Sequence, residues 1–142
     1  MNKIVVGVDS SKGSRAALRW AHREAVIRSC ELEVVMVWQF PITTTLPAFG
    51  AMPAPEDFSE ETERALVSAI AEEGIVATDE APVTILVAEG AAAAALLDAA
   101  KDADLLVVGS RGHGGFAGLL LGSVSQQCVT HAPCPVVVVP AN

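Results

Sequence analysis

Positive charge is scarce in this chain: nine Lys and Arg stand against seventeen Asp and Glu, for a formal net charge of −8 at pH 7. No basic run is present to follow a phosphate backbone, which argues against nucleic acid and anionic membrane as partners. Long hydrophobic runs are lacking too. No apolar stretch reaches the roughly 18 residues of a spanning helix, and the opening MNKIVVGVDSS has no long apolar segment of the secretory-signal kind. A cytosolic protein is expected. Cysteine is sparse, and Cys30, Cys128 and Cys134 form an odd set with neither CxxC nor Cys/His zinc spacing. Reduced thiols that simply pack are the expectation. At 142 residues, a single domain over 1–142 with one real core is expected.

What the chain does have is short β-branched blocks. KIVVGV (3–8), LEVVMVW (32–38), VTILVA (83–88), LLVVG (105–109) and PVVVVP (135–140) are apolar on both faces, as strands of a parallel sheet covered on each side would be. Segments of helical period lie between them. In 14–28, Ala17, Leu18, Ala21 and Ala25 make one face; in 57–73, Phe58, Thr62, Ala65, Leu66, Ala69 and Ile70 do; 91–101 and 123–131 follow. This β/α alternation predicts an α/β fold, a doubly wound five-stranded parallel sheet with helices on both faces. Its ligands bind beyond the strands' carboxyl ends, where the winding reverses.

Three segments fall at such ends. The fourth strand runs into glycines at 109, 112, 114, 115, 118 and 122, and Gly122-Ser123 comes where the last helix opens. Glycine at a strand end permits φ > 0 and leaves no Cβ to obstruct a ligand. Successive free N–H groups and a helix N-terminus make an anion site there, to which Ser123 adds a hydroxyl. The alternative is a glycine-rich surface loop with Ser123 as ordinary N-cap. The apolar FAGLLL (116–121) argues for a segment that packs down. At the end of the first strand, in GVDSSKGS, Asp9 can accept hydrogen bonds from a sugar or base or help hold a metal; alternatively Asp9 or Ser10 only caps the next helix, as Ser11 and Ser14 also could. Met36-Val37-Trp38 ends the second strand and offers an apolar wall for a flat ring, or plain core.

At these residues the chain resembles the universal stress proteins of the UspA type. Gly109, Gly112, Gly122 and Ser123 match the G-2x-G-9x-G-(S/T) pattern of the family's ATP-binding members, and IVVGVDSS and APCPVVVV look like its first and last strands. The resemblance covers essentially the whole chain. It implies strand order 3-2-1-4-5, a homodimer, and a nucleotide-dependent regulator of stress or dormancy with at most slow hydrolysis. It also implies an adenine nucleotide held by Asp9 near the adenosine end, by Val37 beside the base, and by Gly109, Gly112, Gly122 and Ser123 around ribose and phosphates. Val124 belongs with these binding residues, and Arg111 and His113 lie within reach of the phosphates. ATP with Mg²⁺ bridging its phosphates is the expected ligand. Met36 stands where many relatives have His, and Ala91 where many have Pro.

The chemistry of turnover is thin. No Lys precedes Ser123 as a Walker A motif requires, and no Walker B carboxylate accompanies it. His22 and His131 fall on helices and are expected at the surface or capping. A phosphoacceptor receiver would need paired acids after the first strand and a Lys near the fifth, and neither is present. Binding is therefore expected over catalysis, with a slow ATPase or a nucleotide-free dimeric interaction module as alternatives. The dimer expectation has its own physical ground. Val136–Val139, bracketed by Pro135 and Pro140, carries no charge and would lie at a sheet edge, where a second copy could pair with it.

Overall fold

Every β-branched block forms a strand, and every segment of helical period a helix. The computed structural model describes residues 1–39, 55–111 and 121–141. Its order is β1 (Lys3–Gly7), α1 (Lys12–Arg28), β2 (Glu31–Trp38), α2 (Pro55–Glu72), β3 (Val83–Glu89), α3 (Ala92–Ala99), a 3-10 turn (Ala100–Asp102), β4 (Leu105–Gly109), α4 (Ser123–His131) and β5 (Val136–Val139). All strand pairs are parallel and the sheet order is β3-β2-β1-β4-β5, as expected.

Successive residues of a strand point to opposite faces, so a central strand of this sheet must be apolar at every position. In β1, Ile4 and Val6 join Leu18, Ala21, Leu66 and Ala69 in a core under α1 and α2. Val5, between them, joins Leu96, Ala99 and Cys128 in a second core under α3 and α4. At the foot of the sheet Asp104 clasps β1 to β4: its Oδ2 accepts from the Asn2 and Lys3 amides, and its own amide donates to the Lys3 carbonyl at 2.9 Å. Those two N–H groups hold its carboxyl below the usual carboxylate range.

Three expectations need correction. β3 is covered on one face only: Val83, Ile85 and Val87 pack on the first core, while Thr84 and Leu86 are exposed. β3 is an edge strand, and α3 lies chiefly over β1 and β2. Ala65 is exposed, because α2 lies over β2 and β3 at the sheet's margin and the flank of its apolar stripe meets no second wall. His22 is half-buried, with Nε2 enclosed and lacking a hydrogen-bond partner among the described residues, whereas His131 is exposed as expected. The three cysteines pack as free thiols, as expected: Cys30 and Cys128 lie in the cores and the half-buried Cys134 packs against the second; burial pushes the Cys128 thiol up to about 11. Among the described residues, no helix is long and apolar enough to cross a membrane.

Candidate functional site

The chain leaves β1 through a short turn built on serine hydroxyls. Ser10 takes a left-handed φ of 72°. Ser11, not Asp9 or Ser10, is the N-cap of α1, its Oγ accepting from the Ser14 amide at 3.2 Å. Asp9 is part of the same knot: its Oδ1 accepts from the Ser11 amide at 3.0 Å and its amide donates to Ser14 Oγ at 3.1 Å. The Asp9 side chain stays exposed at the carboxyl edge of the sheet.

Gly109, at the end of β4, is glycine for a reason other than the one expected. Its φ is not positive, and a Cβ there would stand 2.8 Å from Gly13 C and 2.9 Å from Gly13 O. The space is taken by the first turn of α1. Gly122 is not left-handed either, with φ −75° and ψ 171°. It is itself the N-cap of α4, which makes Ser123 the first helical residue. A glycine cap has no side chain to offer, so Gly122 itself leaves the first-turn N–H groups of α4 without a side-chain cap, and the positive end of the helix dipole lies at the sheet edge.

Ser110 joins the two legs of the glycine-rich segment. Its amide donates to the Val139 carbonyl at 2.8 Å, and its carbonyl accepts from the Gly122 amide at 2.7 Å. Ser125 Oγ lies 2.9 Å from that carbonyl oxygen and 3.0 Å from the Gly122 carbonyl oxygen. Sequence reasoning missed Ser110 and Ser125. A serine three residues into a helix from a glycine cap was the available signal, and its 2% exposure marks it as structural. Gly112 and His113 lie outside the described residues. Arg111 and Ser123 are exposed and Gly122 is buried.

The apolar wall is narrower than the sequence implied. Met36 packs in the core under α1 and α2, and Trp38 stacks on Phe58 of α2, with ring centroids 5.9 Å apart and planes 11° from parallel. Only Val37 turns to the other face, where it and Val124 of α4 border the second core. Gly90, at φ 119°, donates its amide to the Trp38 carbonyl at 2.9 Å and closes the ends of β2 and β3. The structure thus gathers Asp9, Gly109, Arg111, Gly122, Ser123, Val37 and Val124 along one sheet edge. No group of three or more His, Cys, Asp or Glu able to hold a metal ion is found among the described residues.

A parallel sheet in the order 3-2-1-4-5, with helices on both faces and its polar turns at the strand carboxyl ends, defines a Rossmann-like α/β protein. The chain belongs to the universal stress protein family, whose model matches residues 1–140. A universal stress protein of Mycobacterium tuberculosis is 34% identical over 139 residues, covering 96% of this chain and 46% of that protein. One of Mycolicibacterium smegmatis is 35% identical over 139 residues, covering 96% and 47%. The chain therefore spans about half the length of the curated relatives it matches. Among solved structures, UspA from Lactobacillus plantarum has the same fold, with TM-score 0.77, 24% identity and 97% of each chain covered. The universal stress protein of Archaeoglobus fulgidus in complex with dAMP superimposes with TM-score 0.60 and 28% identity over 98% of each chain. A universal stress protein in complex with cAMP does so with TM-score 0.68 and 26% identity, over 99% of this chain and 98% of that one.

Proposed function

We propose that this chain, acting as one domain over 1–142, binds ATP with Mg²⁺ at the carboxyl edge of its sheet and serves as a nucleotide-dependent regulator of stress or dormancy responses in the cytoplasm. The observation that carries the reading is the Ser110 carbonyl, held by the Gly122 amide at 2.7 Å with Ser125 Oγ at 2.9 Å. That junction fixes the end of β4 beside the glycine-capped N-terminus of α4, where an anion gains N–H donors and a favourable dipole. The dAMP and cAMP complexes of the two structural relatives support an adenine nucleotide as the guest.

In this reading Asp9 accepts hydrogen bonds at the adenosine end, and Val37 and Val124 give an apolar side to the base. Gly109, Gly112, Gly122 and Ser123 surround ribose and phosphates, with Arg111 and His113 at the phosphate end. Mg²⁺ fits a site with few protein carboxylates, since that ion commonly keeps waters and takes substrate phosphates as ligands. The proposed assembly is a homodimer paired through β5.

Mass spectrometry of the supernatant from denatured protein identifies any resident nucleotide, and calorimetric titration tests the site. Valine accepts the observed Gly122 backbone, so Gly122→Val should act through its side chain alone and lower ATP affinity by about tenfold or more, equivalent to about 1.4 kcal/mol. Unchanged affinity in the folded variant removes the phosphate site. Asp9→Asn leaves an acceptor for the Ser11 amide but lacks the charge; it should weaken adenosine and ATP alike, whereas a loss confined to ATP would move Asp9 to the metal. ATP turnover above background that disappears in Arg111→Ala or His113→Ala would replace the binding role with a slow ATPase.

A further inference from the structure

The first turn of α1 touches both halves of the candidate site. Gly13 is buried, and a Cβ built on it would stand 2.7 Å from the Arg111 carbonyl oxygen. From the other side, a Cβ on Gly109 would stand 2.8 Å from Gly13 C and 3.1 Å from the Ser14 amide nitrogen. Helix backbone therefore lies directly against strand-end backbone, with no side chain between them. Ser14, the next residue, is 5% exposed. Its one hydroxyl accepts from the Asp9 amide at 3.1 Å and donates to the Ser11 carbonyl at 3.0 Å. Ser10 is held between these bonds at φ 72°, a conformation a non-glycine residue keeps only when its surroundings impose it.

We infer that Gly13 and Ser14 are positioning residues of the proposed nucleotide site, with Ser14 setting the Asp9 end and Gly13 setting the Arg111 end from one helix. The inference rests on the nucleotide reading above. The helix is the fixed member of the pair, because Ala17, Leu18, Ala21 and Ala25 are all fully buried against the sheet. An added carbon at residue 13 cannot be relieved by retreat of α1. Arg111 is exposed and lies beyond the last residue of β4, so it is the part that yields. A displaced Arg111 carries Ser110 with it, and Ser110 holds both Val139 and Gly122. Removing the Ser14 hydroxyl instead leaves the Asp9 amide without that partner and loosens the turn that presents the carboxylate. The two residues thus act on opposite ends of one ligand.

That division supplies the test. Mg²⁺-ATP and adenosine are titrated calorimetrically into wild type, Gly13→Ala and Ser14→Ala, and amide hydrogen exchange is followed on the three unliganded proteins. Gly13→Ala should weaken ATP by about tenfold or more and adenosine, which reaches the displaced segment only through its ribose, by a several-fold smaller factor, since small misplacements of binding groups are costly only where those groups act. Ser14→Ala should weaken both ligands by about fivefold or more. In unliganded Gly13→Ala, the Ser110 and Gly122 amides should exchange faster while that of Val6 in β1 does not. A folded Gly13→Ala that binds ATP as wild type does, or loses ATP and adenosine equally, overturns the inference. Should Gly13→Ala fail to fold, unchanged adenosine affinity in folded Ser14→Ala overturns it. If wild type binds neither ligand the nucleotide reading falls by itself, and unaltered exchange at Ser110 and Gly122 then overturns the positioning role as well.

Discussion

At the scale of single residues, Gly109 shows how a motif position can be occupied for a structural reason. Ala at 109 would press a carbon onto the backbone of Gly13 and Ser14, with contacts of 2.8 to 3.1 Å. Such overpacking costs about 1–3 kcal/mol, and Gly109→Ala should lower the thermal midpoint by about 3–10 °C. An unchanged midpoint in calorimetry would mean that helix and strand end separate cheaply. His22 sets a pH dependence. Burial holds its imidazole below the ordinary value of 6.5, so the folded chain keeps it neutral while the unfolded chain takes up a proton first as pH falls. Stability contributed by neutral His22 is therefore complete above 6.5 and declines as pH drops below that value. His22→Leu should flatten the urea midpoint between pH 7 and 5.5 relative to wild type; parallel profiles would refute the assignment. That His22 lies on a helix was legible in the sequence. That its Nε2 is enclosed was not, because helical periodicity places a residue on a face without saying how far its neighbours close over it.

At the scale of elements, α1 and α2 are tied across their solvent flank by charge. Arg19 Nη1 meets Glu73 at 2.9 and 3.0 Å, and Arg15 reaches Glu73 at 3.6 Å and Glu72 at 3.1 Å. The two acids differ in environment: the Glu73 side chain is 15% exposed and that of Glu72 59%. Screening leaves exposed pairs with little net effect, so Glu72→Ala should leave the urea midpoint almost unchanged, whereas Glu73→Ala should cost about 1 kcal/mol. Equal urea midpoints for the two variants would show that burial does not separate them. The helices themselves were readable from 3.6-residue periodicity, and α4 begins and ends where expected. The exposure of Ala65 and Leu86 was not readable, since periodicity names a face without saying how much of it a neighbour covers.

At the scale of the whole molecule, the proposed dimer depends on the sheet's open edge. Among the described residues β5 pairs with β4 alone. Val137 borders the core under α1 and α2, and Val138 the core under α3 and α4. A partner strand would therefore meet the backbone edge and the rims of both faces. Sedimentation equilibrium at tens of micromolar should show a wild-type dimer and a largely monomeric Val137→Lys/Val138→Lys variant, with circular dichroism confirming its fold. ATP affinity should change far less, because the proposed nucleotide lies at the strand ends. A monomeric wild type, or a folded double variant that stays dimeric, would reject β5 as the interface.

By itself the sequence determined the alternation of strands and helices and the doubly wound parallel sheet. These follow from patterns local to each segment, short β-branched runs apolar on both faces set between stretches of helical period 3.6. The tertiary structure alone decided that Gly109 makes room for α1, that Ser110 and Ser125 join the legs of the glycine-rich segment, and that Trp38 turns away from Val37 toward Phe58. Each of these depends on which atoms stand across a gap of about 3 to 6 Å between elements remote in sequence. No local pattern records that distance, because it is set only when both cores have packed.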